Sequence, residues 1–182
     1  MRLFIALRFD ERALKQLTAV QGKLCRSAAR CSPVQRDSLH MTLAFLGEVE
    51  NARTAALKHI LDGLDPAPSS LRFDTVGSFA NGIWWCGPGR SPPLTRLHSQ
   101  LRHALREQGF TVEDRPFVPH VTLARRVVPN APGALPQLQH PFAAQVRSVS
   151  LMRSQLGKGA PAYTELYAVP PGRHSAGPMQ HQ

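Results

Sequence analysis

With 182 residues, 42% of them hydrophobic, the chain is long enough for one domain with its own core. It contains no apolar run of the ~18 residues that a membrane span needs. Lys and Arg number 22 against 12 acidic residues, a formal charge of +10 with a pI near 10.8. That balance favours a polyanionic partner, because neutralising phosphates releases counterions, and it gives no reason to expect a membrane partner. The three cysteines, Cys25, Cys31 and Cys86, are odd in number and show no CxxC spacing. Reduced, mostly buried thiols are expected, not a disulfide framework or a zinc site.

Arg2 to Arg8 has the β-branched and aromatic content of a strand. Charge returns at Arg8 and Asp10, too early for a secretory signal, so the chain reads as cytoplasmic. Asp10 to about Arg30 carries Leu14, Leu17, Val20, Gln21 and Leu24 at helical spacing, with Asp10 as N-cap. Asp37 to Gly47 is a strand containing His40, and Glu50 to Leu64 a second helix. A strand over about Leu71 to Ser78 leads to a tight turn at Asn81-Gly82.

The same order then begins again. Gly82 to Cys86 reads as a strand, Leu94 to Phe110 as a helix, and Phe117 to Arg125 as a strand containing His120. A Pro/Gly-rich loop spans Pro129 to Pro136, and two strands follow, Phe142 to Arg153 and Tyr163 to Val169. His120 lies 80 residues after His40, and Trp84 lies 80 after Phe4. A duplicated unit packed about a pseudo-twofold axis is expected, forming one domain over 1–169. The tail from Pro170 to Gln182 shows no periodicity and reads as disordered. The expected fold class is α+β, and a monomer is the default.

His-x-Thr-Leu-Ala occurs twice, at His40-Met41-Thr42-Leu43-Ala44 and His120-Val121-Thr122-Leu123-Ala124. One His-x-Thr is weak evidence; a matched pair is strong. Strand alternation points His40 with Thr42 one way, and His120 with Thr122, while Met41, Leu43, Val121 and Leu123 face the core. Ala44 and Ala124 return to the histidine face with almost no side chain. Two imidazoles across one cleft suit a phosphorus centre, because breaking a phosphodiester requires one proton removed and one delivered near neutral pH. The hydroxyls of Thr42 and Thr122 can donate to the non-bridging oxygens. No metal or cofactor is called for, and neither histidine has Cys, Asp or Glu at ligand spacing beside it. His59, His98, His103 and His140 read as structural, and His174 and His181 fall in the tail.

These motifs, with Arg2-Leu3-Phe4-Ile5-Ala6 before them, Phe45-Leu46-Gly47 after the first, and Pro119 and Arg125 around the second, resemble the two-histidine phosphoesterase superfamily. The resemblance is to its bacterial and archaeal RNA 2′,3′-cyclic phosphodiesterases, once called 2′-5′ RNA ligases. It implies two pseudo-symmetric lobes, each an antiparallel sheet with outer helices, around a central cleft. It also implies opening of a 2′,3′-cyclic phosphate at an RNA end to a 2′-phosphate, without cofactor. His40 would donate to O3′ and His120 would activate water; the residues alone leave that allocation symmetric.

The resemblance further implies that Phe45 and Arg125, each five residues after its histidine, belong to the site. Phe45 offers a stacking face for a base and Arg125 a fork for phosphate. That offset is out of phase on a regular strand, so a bulge is required, and Arg126 is the in-phase reserve. Lys158 is a further candidate for the RNA backbone. Rival readings are the same site acting on another cyclic or 2′,5′-linked nucleotide, and a catalytically silent RNA-binding module. Hydrolysis is expected as the main activity, with ligation in the reverse direction open to detection in vitro.

Overall fold

A computed structural model describes residues 1–131, 138–155, 157 and 161–172. Strand β1 (Arg2–Phe9) is followed by helix α1 (Glu11–Arg26), strand β2 (Ala28–Pro33) and strand β3 (Met41–Glu48). Helix α2 (Thr54–Asp62), the hairpin β4 (Ser70–Phe79) and β5 (Ile83–Pro88), and helix α3 (Pro92–Glu107) come next. Strands β6 (Val121–Pro129), β7 (Phe142–Gln155) and β8 (Ala162–Val169) complete the order. No described helix is long and apolar enough to cross a membrane.

Local chemistry accounts for the boundaries. Asp10 caps α1 by accepting from the Ala13 amide at 2.8 Å, and Glu11 in the first turn with Lys23 and Arg26 in the last suit the helix dipole. The two prolines that open α3 cost nothing there, since first-turn amides have no intrahelical partner. Asn81 and Gly82 both take positive φ, 68° and 66°, and turn β4 into β5.

All strand pairings are antiparallel, and the strands of both halves join in one sheet, ordered β1-β3-β6-β5-β4-β7-β8. Strand β7 is long enough to serve both halves: Phe142 to Gln145 pairs with β4, and Val146 to Arg153 pairs with β1. The β1–β7 pairing closes the sheet on itself, with β2 added beside β6 and β8 beside β7. The core lies between this sheet and the helices, where Leu14, Leu17 and Leu24 of α1 and Leu94, Leu97, Leu101 and Leu105 of α3 are buried.

Three sequence expectations change. Helix α1 ends at Arg26, and Ala28–Pro33 is an edge strand whose polar, non-alternating sequence gives no period-2 signal. The turn between them brings the Cα atoms of Cys25 and Cys31 to 5.4 Å and the two sulfurs are bonded, so only Cys86 is a free, buried thiol. The pairing escapes a search for CxxC because the helix-to-strand turn, not the spacing, creates it. Finally, Trp84 is not the counterpart of Phe4. Trp84 faces the main core, whereas Phe4 lies on the opposite face of its strand with Ala6 and Met152.

Candidate active site

Strands β3 and β6 pair at Met41 and Val121. One step either side of that antiparallel pair sets His40 beside Thr122 and His120 beside Thr42, all four on the face opposite Met41 and Val121. The two His-x-Thr segments are thus related by the local twofold that any antiparallel pair has. Both histidines sit just ahead of their strands. There each ring is fixed in the same way, His40 Nδ1 on the Ser38 carbonyl and His120 Nδ1 on the Val118 carbonyl, both at 2.7 Å. A carbonyl can only accept, so Nδ1 carries the hydrogen and Nε2 is left as the reactive nitrogen of both rings. Among the described residues, the half-buried Thr42 and Thr122 hydroxyls have no hydrogen-bond partner.

Each histidine strand contains a bulge just past its threonine. In the β1–β3 ladder, Ala6 pairs with Thr42 but Ile5 pairs with Ala44, which leaves Leu43 as the extra residue. In the β5–β6 ladder, Trp85 pairs with Thr122 but Trp84 pairs with Ala124, which leaves Leu123. The extra residue reverses the phase of the strand beyond it. Ala44 and Ala124 accordingly enter the main core, contrary to strict alternation, and Phe45 and Arg125 take the histidine face. Phe45 is 51% exposed, with its ring 6.1 Å from that of Phe4. The Arg125 guanidinium lies near enough to both imidazoles to oppose their protonation. Arg126 at φ 52° instead turns to the Ser32 hydroxyl. Lys158 lies outside the described residues.

Helical side chains hold both bulges. Gln21 of α1 donates from Nε2 to the carbonyls of Leu123 and Val34, each at 2.7 Å. His98 of α3, stacked on Phe117 at 3.8 Å, has its ring within hydrogen-bonding reach of the Leu43 backbone. Among the described residues these are two of the four buried polar side chains, and each sits behind one bulge. Each helix thus sets a polar side chain behind the strand whose bulge brings Phe45 or Arg125 to the histidine face.

Aromatic rings wall the two imidazoles. His40 meets Phe4 at 5.0 Å and the edge of Tyr163 at 5.2 Å, and His120 meets Phe79 at 4.8 Å and Trp85 at 6.1 Å. Gly77 makes room for Trp85, since a Cβ there would stand 2.4 Å from the indole. Burial drives the His40 pKa down to about 4, opposed by the Ser38 carbonyl and reinforced by Arg8, Arg125 and His120. Burial also lowers His120, again against a carbonyl bond and with the help of Arg125. Among the described residues, no group of three or more His, Cys, Asp or Glu side chains is arranged to hold a metal ion.

A family model described as the 2′-5′ RNA ligase superfamily matches residues 9–158. The chain belongs to this superfamily. It is 35% identical over 180 residues to the Thermus thermophilus protein named RNA 2′,3′-cyclic phosphodiesterase, covering 91% of this chain and 88% of that one. It is 33% identical over 137 residues to the Escherichia coli protein of the same name, covering 74% and 76%. The crystal structure of E. coli LigT complexed with 3′-AMP superposes with a TM-score of 0.78 at 29% identity, covering 94% of this chain and 98% of that one. The superfamily resemblance read from the motifs is thus shown, and so is the mixed fold built on a large antiparallel sheet.

Sequence reasoning misses Phe4, Tyr163, Phe79 and Trp85, which line the histidines, and Gln21 and His98, which sit behind them. An aromatic on a strand has no mark that separates cleft from core. Gln21 does carry one: a polar residue in the apolar stripe of α1, the position where a buried amide needs partners.

Proposed function

We propose that the protein hydrolyses 2′,3′-cyclic phosphate ends of RNA to 2′-phosphates by acid–base catalysis between His120 and His40. What supports this reading is the pair of imidazoles bonded through Nδ1, each one step from the Met41–Val121 pair and across from the other strand's threonine, whose hydroxyl has no hydrogen-bond partner among the described residues. Relatives named for this activity support it.

The reaction balances on those groups. Nε2 of His120 takes a proton from water, whose oxygen attacks phosphorus opposite O3′. The P–O3′ bond breaks as Nε2–H of His40 delivers its proton to O3′, leaving a 2′-phosphate and a free 3′-hydroxyl. Thr42, Thr122 and Arg125 donate to the non-bridging oxygens, where charge grows in the transition state. Phe45 supplies a face on which the terminal base stacks.

The proton inventory sets a condition. His40 must hold a proton to act as acid, yet burial and three cationic or polar neighbours push its pKa to about 4. The phosphate anion between the imidazoles supplies the opposite charge and raises that pKa on binding. The testing experiment tracks the product of an RNA oligomer ending in a 2′,3′-cyclic phosphate by phosphorus NMR. A 2′-phosphate is expected. A 3′-phosphate reverses the allocation of His40 to O3′, and no conversion removes the activity.

A further inference from the structure

The site is symmetric in its histidines and threonines but not in the groups that stand beside them. In β1, Leu3, Ile5, Leu7 and Phe9 face the main core, while Phe4 and Ala6 lie on the opposite face in a small cluster with Met152 beside His40, so alternation gives Arg8 to that histidine face. The β1–β3 ladder pairs Ala6 with Thr42 and Leu7 with Met41, and one step further sets Arg8 across from His40. In the other half, one step beyond the pairing of Cys86 with Val121, the position across from His120 is Gly87. A side chain cannot be accommodated there, because a Cβ on Gly87 would stand 2.4 Å from the Pro119 carbonyl oxygen. One histidine therefore has a guanidinium at its side and the other has bare backbone.

Arg8 is half-buried, and among the described residues it has no hydrogen bond and no ion pair. Asp37 and Glu165 lie close enough to favour its charge, but Glu165 already accepts from Arg147 at 2.7 Å and from Ser150 at 2.8 Å, and Arg147 repels Arg8. A partly desolvated guanidinium with none of its five donors used is costly unless an anion completes it.

The direction of the proposed reaction decides which anion reaches this side. In-line attack places water and His120 on one side of phosphorus, and O3′ with His40 on the other. The ribose that keeps O3′ must then lie toward His40, and the next anionic group along that ribose is the phosphate on O5′. We propose that Arg8 binds the O5′ phosphate of the terminal nucleotide, so that the site prefers an RNA end to a lone cyclic nucleoside phosphate. This inference rests on the assignment of His40 to O3′.

The test compares adenosine 2′,3′-cyclic phosphate with the same compound carrying a 5′-phosphate, for wild type, Arg8→Gln and Arg8→Lys. Wild type should favour the 5′-phosphorylated compound in kcat/KM by roughly ten- to hundred-fold, the worth of a charge-assisted hydrogen bond. In Arg8→Gln that ratio should fall toward one, and Arg8→Lys should keep part of it. A wild-type ratio near one overturns the proposal, as does an unchanged ratio in Arg8→Gln or an equal loss on both compounds. Binding of adenosine 2′,5′-bisphosphate against adenosine 2′-phosphate by calorimetry reads the same ratio without turnover. If wild type hydrolyses neither compound, the catalytic reading fails and this binding ratio still decides the role of Arg8.

Discussion

Replacing Gln21 tests how the fold brings Arg125 to the histidine face. Its Nε2 donates to two carbonyl oxygens at 2.7 Å, that of Leu123 at the bulge and that of Val34. Gln21→Leu keeps the apolar stem and removes both donations. The Leu123 carbonyl retains the Val34 amide at 2.9 Å, so its loss is one ordinary bond, about 1 kcal/mol. The Val34 carbonyl loses its side-chain donor, which costs about 1–2 kcal/mol for a partly buried acceptor. The expected destabilisation is about 2–3 kcal/mol, read from urea unfolding at unchanged m, or a Tm about 5–10 °C lower. Gln21→Glu should be worse than Gln21→Leu, because a carboxylate brings only acceptors to two carbonyls. Both variants should raise KM for an RNA cyclic phosphate, since a bulge without its brace releases Arg125. A loss below about 0.5 kcal/mol, or a Glu variant more stable than the Leu variant, would refute this reasoning.

His40 titrated by NMR should show a pKa near 4, rising toward the ordinary histidine range when inorganic phosphate is added; no response to phosphate would contradict the proposed proton inventory. Because His40 and His98 both have folded pKa values near 4, below their unfolded values, the stability they contribute is complete above about pH 6.5 and is lost as pH falls toward 4. His98→Gln should flatten the unfolding free energy between those limits, as measured by urea denaturation at successive pH values. Gly87→Ala should cut activity sharply by pushing the Pro119-His120 segment away from β5, checked by kcat on the cyclic phosphate beside thermal melting. Phe45→Ala should cost about 1 kcal/mol of stability or less, because half the ring is already in water, and should appear in KM more than in kcat.

The histidine pair was legible because it is written in adjacent residues: His-x-Thr on a strand fixes a shared face wherever the strand lies. Helices α1 and α3 were legible for the same reason, their leucine spacing being a local signal. The phase of Phe45 and Arg125 was legible only as a need for a bulge, since whether Leu43 or Leu123 is the extra residue depends on how β1 and β5 pair with their neighbours. Strand β2 was lost inside the helix because edge pairing to β6, and no pattern of its own, makes Ala28–Pro33 extended. Arg8 reads in sequence as the charge that ends an apolar run. Its place beside His40 is a property of the β1–β3 register, which no single stretch of sequence contains.

In the proposed reaction two histidines move the protons. The direct measurement incubates wild type, His40→Ala and His120→Ala, each in EDTA, with an RNA oligomer ending in 2′,3′-cyclic phosphate, and monitors formation of the 2′-phosphate while circular dichroism confirms each fold. Conversion by wild type, with a loss of at least about a hundred-fold in each variant, is the predicted result, in line with the contribution of a general acid or base. Full activity in either variant, or wild-type activity that EDTA abolishes, would contradict it.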